Sequence, residues 1–193
     1  MSTANDIEHI TLINTPLDDP NKMAEAAELF RAIGLATSSW ARLETHIDMV
    51  LIHLNQPKHS RELYEKDHPV GFRSKVKLLK RWFNKHPALQ PQAAALRAIA
   101  PKFLALGRQR NIFLHSILSD YDPATRQAIW RGIKAEGEET FRVGKHVGSV
   151  DHLINFAAAA HEAHVQFAKV CRSLYDAGMI EQLRWYGGSL ARQ

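Results

Sequence analysis

Four polar residues on one predicted helix have types and spacings that could carry proton transfer beside fixed positive charges. Arg108, Arg110, Asn111 and His115 interrupt the apolar pattern of this helix. Because a helix advances about 100° per residue, Asn111 and His115 lie one turn apart on the same face, and Arg108 lies on nearly the same azimuth. Histidine can transfer protons near neutral pH, whereas arginine keeps its charge and binds anions. The spacing therefore predicts a polar strip able to act on an anion.

Arg110 borders this strip, at a position on the apolar face of the helix that normally takes an apolar residue. An unpaired buried guanidinium costs on the order of several kcal/mol, so it needs a carboxylate, a backbone carbonyl, an anion or solvent. Glu44, which follows Trp40 by one helical turn, is the expected partner. Two interpretations stay open: a structural ion pair with His115 on the surface, or a functional site.

Apolar residues at alternating steps of three and four predict the helices that position these side chains. A first long helix is expected over about 22–55, and a second helix ends before Pro87. The third helix begins near Pro91 and carries the polar strip. Apolar residues at steps of three and four continue along this helix through Ile117, and Pro101 is expected to kink or split the helix.

The remainder of the pattern predicts a hairpin and a further helix. Residues 119–148 alternate only weakly between polar and apolar, which favours a two-stranded hairpin over about 125–145. The last long helix begins at Ser149 or Asp151 and ends at Gly178. These elements predict a mainly α fold, an antiparallel bundle of four to five helices with a small β-hairpin insertion before the last long helix.

Length and composition favour one domain over residues 22–178, between an N-terminal arm (1–21) and a C-terminal tail (179–193). The chain has 193 residues, of which 45% are hydrophobic, and a formal net charge of +5. That charge is compatible with nucleic acid without requiring it. The single cysteine, Cys171, is expected in the core and favours a reducing compartment. Neither a signal peptide nor a membrane-spanning segment is evident, so a cytoplasmic location without membrane partners is expected.

The stretch Arg110-Asn111-Ile112-Phe113-Leu114-His115 resembles the signature of HEPN domains, the higher eukaryote and prokaryote nucleotide-binding superfamily. That signature is an arginine, four to six intervening residues and a histidine, with a polar residue directly after the arginine, here Asn111. Arg108 also fits the longer spacing, but Gln109 is a weaker follower. The order of the helices over residues 22–178 adds to the resemblance. Two further matches are Trp-x-x-Leu-Glu at Trp40 to Glu44 and Phe-Arg-Ser-Lys at Phe72 to Lys75. The chain resembles a sparsely characterised member of the superfamily.

The resemblance implies a metal-independent endoribonuclease that cleaves RNA by attack of the 2′-hydroxyl and leaves a 2′,3′-cyclic phosphate. In that mechanism His115 transfers protons and Arg110 holds the non-bridging oxygens of the phosphate. Asn111 orients His115 or hydrogen-bonds the phosphate, and Arg108 and Lys75 add positive potential. No cofactor and no metal are implied. The resemblance also implies a homodimer with the site at or near its interface.

Other members of that superfamily bind nucleotides or RNA without cleaving them, or act as toxins held by an antitoxin. A non-catalytic RNA-binding or protein-interaction bundle therefore stays open as the alternative. A metal-binding bundle is a further alternative, because histidines lie near two apolar stripes, His46 and His53 on one and His161 and His164 on the other. His161-Glu162-Ala163-His164, however, is one residue short of the zinc-protease spacing, and His164 is expected to be a hydrogen-bonded core histidine.

Overall fold

The computed structural model describes residues 20–55, 68–135, 141–176, 178 and 180. The expected N-terminal arm, apart from its last two residues, lies outside this part of the chain. So do the tip of the expected hairpin at 136–140 and, Ile180 apart, the expected C-terminal tail. In the described part, no helix combines the length and apolar character needed to span a membrane.

The chain is mainly helical, with a small antiparallel sheet before the last helix, which confirms the coarse fold prediction. The elements follow one another as α1 (Pro20–Glu25), α2 (Ala27–Leu54), α3 (Phe72–Lys85), a 3-10 turn (Gln90–Gln92), α4 (Ala93–Leu114), β1 (Ile117–Asp122), β2 (Gln127–Ala135), β3 (Phe141–Ser149) and α5 (Val150–Asp176). The expected first helix is thus divided at Ala26 into α1 and α2.

Two compact units divide these elements. Among the described residues, the first unit comprises those up to position 37 and those from 110 to 155, and the second comprises those from 38 to 109 and from 156 onward. Because the boundaries fall inside α2, α4 and α5, each of these helices contributes a segment to both units. Arg110, Asn111 and His115 belong to the first unit, whereas Glu44, Lys75 and Arg108 belong to the second.

The first unit contains the sheet, whose strands run in the order β1-β2-β3 with both pairs antiparallel. One face of the sheet is buried, and its buried residues are Ala128, Trp130 and Gly148. The Trp130 ring packs edge-on against Phe113 of α4, with 5.4 Å between the ring centroids. A Cβ on Gly148 would lie 3.0 Å from the Trp130 ring, so a side chain at this position would press against the ring.

The second unit has its own apolar core, built from the spaced residues that predicted the helices. Trp40 of α2 packs against Phe72 of α3 with 4.4 Å between ring centroids. A Cβ on Gly107 of α4 would approach Phe72 to 3.0 Å, so glycine allows α4 to lie close at this point. Phe103 and Phe167, on α4 and α5, pack edge-on at 5.6 Å.

The sheet and the end of α4 differ from the prediction. Three strands form instead of two, because α4 ends at Leu114 and Ile117 begins β1. Ile117 matched the helical apolar step, and the two aspartates of β1 are more typical of turns, so the sequence pattern concealed this strand. Pro101 lies inside α4 without dividing it. At the end of α5, Gly178 has a φ of +69°, as expected for a glycine that ends a helix.

Candidate functional site

The end of α4 carries the three residues that the sequence grouped as catalytic. Arg110 and Asn111 lie in the last turns of α4, and His115 follows the last helical residue, Leu114. The backbone N–H of His115 still donates to the carbonyl oxygen of Asn111 at 3.1 Å. This bond holds the first residue beyond the helix close to its last turn.

Arg110 joins the three side chains. Its Nη1 donates to Oδ1 of Asn111 at 3.0 Å and lies 3.0 Å from Nε2 of His115. A guanidinium has donors and no acceptor, so Nε2 must be the acceptor of this second hydrogen bond. In the tautomer that makes this hydrogen bond, the hydrogen of the His115 ring is on Nδ1.

Solvent reaches the group. The side chains of Asn111 and His115 are exposed, and Arg110 is half-buried. An exposed imidazole nitrogen beside a fixed cation can accept a proton from a substrate once that substrate takes the cation's hydrogen bond. The arrangement is thus chemically suited to proton transfer on an anionic substrate.

The supporting residues have different surroundings. Arg108 is exposed on α4, as a residue that contacts a substrate anion would be. Lys75 is buried, and its Nζ lies 2.8 Å from Oδ2 of Asp48 and 3.5 Å from Oε1 of Glu44. Its charge is therefore balanced by two carboxylates of α2 within the second unit.

Glu44 also accepts a hydrogen bond from Nε1 of Trp40 at 2.7 Å. Because Glu44 and Arg110 belong to different units, their expected pairing stays a prediction, as does the role of Lys75 in phosphate binding. Asp48 was missed by the sequence reasoning, although its spacing of four residues from Glu44 placed both carboxylates on one face of α2.

A pair of histidine rings forms a second polar feature, in the core of the second unit. The His46 ring lies 5.0 Å from the rings of both His164 and Phe167. Within the described residues, Nδ1 of His46 and Nε2 of His164 are buried without a hydrogen-bond partner. The hydrogen bond expected for His164 is therefore not made at this nitrogen.

Burial, reinforced by the charge of the other ring, lowers the pKa of His46 from 6.5 to about 4. Burial first, then Arg42 and His161, lower the pKa of His164. Both rings are thus held neutral near pH 7. Over the part of the chain described, His, Cys, Asp and Glu side chains do not gather in threes around a possible metal position.

Cys171 lies in the core of the second unit, as expected. Burial raises the pKa of its thiol to about 12. Since the thiolate is the nucleophilic form, a thiol with this pKa is unreactive near neutral pH. This side chain therefore contributes packing to α5.

Comparison with protein-family models, characterised proteins and solved structures finds no match to this chain. The assignment of a function therefore depends on the geometry at the end of α4 and on the resemblance of residues 110–115 to the HEPN signature.

Proposed function

We propose that this chain is a HEPN-like, metal-independent endoribonuclease with Arg110, Asn111 and His115 as its catalytic residues. The observation that carries the proposal is the 3.0 Å contact between Nη1 of Arg110 and Nε2 of His115 at an exposed helix end. It pairs a proton acceptor with a permanent cation, which are two of the groups that RNA cleavage without a metal requires.

Substrate binding would redirect the hydrogen bonds of Arg110. Phosphate oxygens carry charge and accept stronger hydrogen bonds than a neutral imidazole does. A bound phosphodiester would therefore take the guanidinium from His115 and leave Nε2 free to face the 2′-hydroxyl. Asn111, which accepts from Arg110 in the free protein, would keep the guanidinium in place during this exchange.

The reaction is a transesterification. Nε2 of His115 takes the proton of the 2′-hydroxyl, the O2′–P bond forms, and the P–O5′ bond breaks. Arg110 offsets the charge on the pentacoordinate phosphate. The departing O5′ takes a proton from an acid, and the products are a 2′,3′-cyclic phosphate and a free 5′-hydroxyl.

A homodimer with the site at its interface would supply that acid. A second copy brings a second Arg110–His115 pair, whose histidine can give a proton to O5′ when protonated.

The same proposal includes an antiparallel bundle of four to five helices, a cytoplasmic location and a toxin or defence role under the control of an antitoxin. The net charge of +5 supports an RNA substrate, since a positive chain attracts polyanions.

The chemical test compares an RNA oligonucleotide with its 2′-O-methyl counterpart, with EDTA present throughout. The purified chain should cleave the RNA and leave the methylated strand intact, because methylation removes the nucleophile. Mass spectrometry of the 5′ fragment should find a cyclic phosphate. Cleavage of the methylated strand would contradict the mechanism, and binding without cleavage would favour a non-catalytic RNA-binding module.

A further inference from the structure

Charge is distributed unevenly along the chain. The stretch from His68 to Ser119 contains ten of the 25 lysines and arginines and none of the 20 aspartates and glutamates. This stretch forms α3, the 3-10 turn, α4 and the start of β1. Because the whole chain has a net charge of only +5, the remaining residues are together net negative. The excess of positive charge therefore belongs to this one stretch.

The solvent side of α3 concentrates this excess. The side chains on this side are those of Arg73, Ser74, Lys77, Lys80, Arg81, Asn84 and Lys85. Lys80 is half-buried and the other six are exposed. Five of the seven are cations, and none is acidic or apolar, so we call this side the basic face of α3.

The carboxylates that contact α3 lie away from the basic face. Glu44 and Asp48 of α2 contact Lys75, which is buried among the apolar residues on the other side of the helix. No carboxylate of the described residues forms an ion pair with Arg73, Lys77, Lys80 or Lys85. The charge of the basic face is therefore not cancelled where it lies.

This arrangement of cations does not stabilise α3. Lys77 lies four residues from both Arg73 and Arg81, a spacing at which like charges destabilise a helix. Arg73 also places a cation in the first turn, where the positive end of the helix dipole disfavours it. An anion bound along the basic face would relieve both effects.

Arg97 of α4 adds a cation to the basic face. Its Nη1 donates to Oδ1 of Asn84 at 2.9 Å, and all of these residues belong to the second unit. Nε2 of Gln90 in the 3-10 turn donates to the backbone carbonyl of Asn84 at 3.3 Å. Since Asn84 is neutral, its hydrogen bond positions the guanidinium of Arg97 without cancelling its charge.

The spacing of the cations suits an extended polyanion. Arg73, Lys77 and Arg81 follow one another at about one helical turn, or about 6 Å along the axis. Such a row can contact successive charges of a linear polymer, whereas a single small anion would use only part of it. A helix that binds a membrane surface buries apolar side chains in the lipid, and the basic face has none. Charge and composition therefore favour a nucleic acid.

We infer that the basic face of α3, together with Arg97, binds the phosphate backbone of single-stranded RNA. The inference rests on the proposed ribonuclease function for the identity of the nucleic acid as RNA, and on the charge distribution for the site. Phosphate contacts carry no sequence information. The seven side chains of the face include no aromatic ring on which a base could stack, so binding should tolerate any sequence.

The test measures binding of a fluorescein-labelled 2′-O-methyl oligouridylate by anisotropy, in EDTA, over about 50–200 mM KCl. The face variant, with Arg73→Gln, Lys77→Gln and Lys80→Gln, removes three cations of the basic face. The control variant, with Arg131→Gln, Lys145→Gln and Lys169→Gln, removes one arginine and two lysines from exposed positions on β2, β3 and α5. Both variants therefore lose the same net charge.

Each phosphate contact on a single strand contributes about 0.7 to the slope of log Kd against log salt. The face variant should therefore lose about 2 from this slope and bind at least about tenfold more weakly near 100 mM salt. The control variant should keep the slope of the wild type. Circular dichroism melts check that each variant folds, and Lys77→Gln alone, with an expected loss of about 0.7, replaces a face variant that does not.

An unchanged slope in the face variant would overturn the inference, and so would an equal loss in the control variant, because net charge alone would then explain the binding. Absence of binding by the wild type would also overturn it. Vesicles of equal parts phosphatidylserine and phosphatidylcholine test the other polyanionic surface. Cosedimentation that the face variant abolishes, by a chain that does not bind the oligonucleotide, would assign the basic face to a membrane.

The outcomes separate this inference from the proposed ribonuclease. The methylated strand cannot be cleaved, so its binding is measured independently of cleavage. Binding that depends on the basic face, by a chain that fails to cut RNA, would sustain this inference and contradict only the ribonuclease. Cleavage of RNA by a chain whose face variant binds as tightly as the wild type would contradict only this inference.

Discussion

At the scale of single residues, the decisive contact is the one between Arg110 and His115. In a continuous helix these positions would be about 140° apart around the axis, on different faces. The sequence grouped Arg110, Asn111 and His115 by type and spacing, but it carried the helix through Ile117. Because α4 ends at Leu114, His115 is the first residue beyond the helix, and Nε2 of its ring lies 3.0 Å from Nη1 of Arg110. The helix end therefore creates the proposed site.

His46 leads to a prediction about stability at acid pH. Its pKa in the folded chain is lowered to about 4, below the 6.5 of an exposed histidine, so the unfolded chain binds more protons between these values. Stability is then fully present above about pH 6.5 and falls as the pH drops toward 4. After allowing for partial solvent screening, His46 should account for about 1 kcal/mol per pH unit.

Urea unfolding between pH 7.5 and 4.5 would measure this slope. His46→Phe keeps a ring against Phe167 and His164 while removing the titrating group, so its free energy of unfolding should depend less steeply on pH. His146→Phe makes the same change at an exposed strand position and should keep the wild-type slope. Equal slopes for wild type and His46→Phe would show that His46 does not carry this dependence.

At the scale of elements, the helices followed from the sequence and the sheet only partly did. An apolar stripe on a helix repeats over many residues, so residues such as Trp40, Leu43 and Ile47 predict α2. The structure buries all three side chains. β1 has six residues with an irregular pairing between Leu118 and Asp120, which leaves too few alternations for a strand signal. The strand that begins beside His115 was therefore missed, although β2 and β3 were anticipated.

The turn between β1 and β2 contains Arg126 in a left-handed conformation, with a φ of +55°. Its guanidinium donates to Glu28 at 2.7 and 3.2 Å and lies 3.2 Å from Asp151. Its backbone carbonyl also accepts from the Val150 N–H at 3.1 Å. These contacts tie the turn to α2 and α5 within the first unit and offset the backbone strain.

Two substitutions separate these effects at Arg126. Arg126→Ala loses the ion pairs and keeps the strain, whereas Arg126→Gly loses the ion pairs and removes the strain. Both variants should melt below the wild type, and Arg126→Gly should melt about 2–4 °C above Arg126→Ala in thermal scans. The opposite order would show that the turn is unstrained at this residue.

At the scale of the whole molecule, the spacing of apolar residues predicted a mainly helical chain, and the structure has one. It did not predict the division into two units, because the boundaries fall inside three helices. An apolar stripe that continues unbroken along α2 gives no sign of where one core ends and the next begins. Ion pairs such as Lys75 with Asp48 were not predicted either, because they join residues that are distant in sequence.

The central claim concerns one side chain, and the cleavage of RNA by purified chains in EDTA tests it most directly. Wild type should cut RNA, and His115→Ala should cut at least about 10²-fold more slowly, because general base catalysis is lost. His146→Gln, which alters an exposed histidine of the same unit, should keep the wild-type rate. Equal cleavage by wild type and His115→Ala, or none by either, would contradict the account.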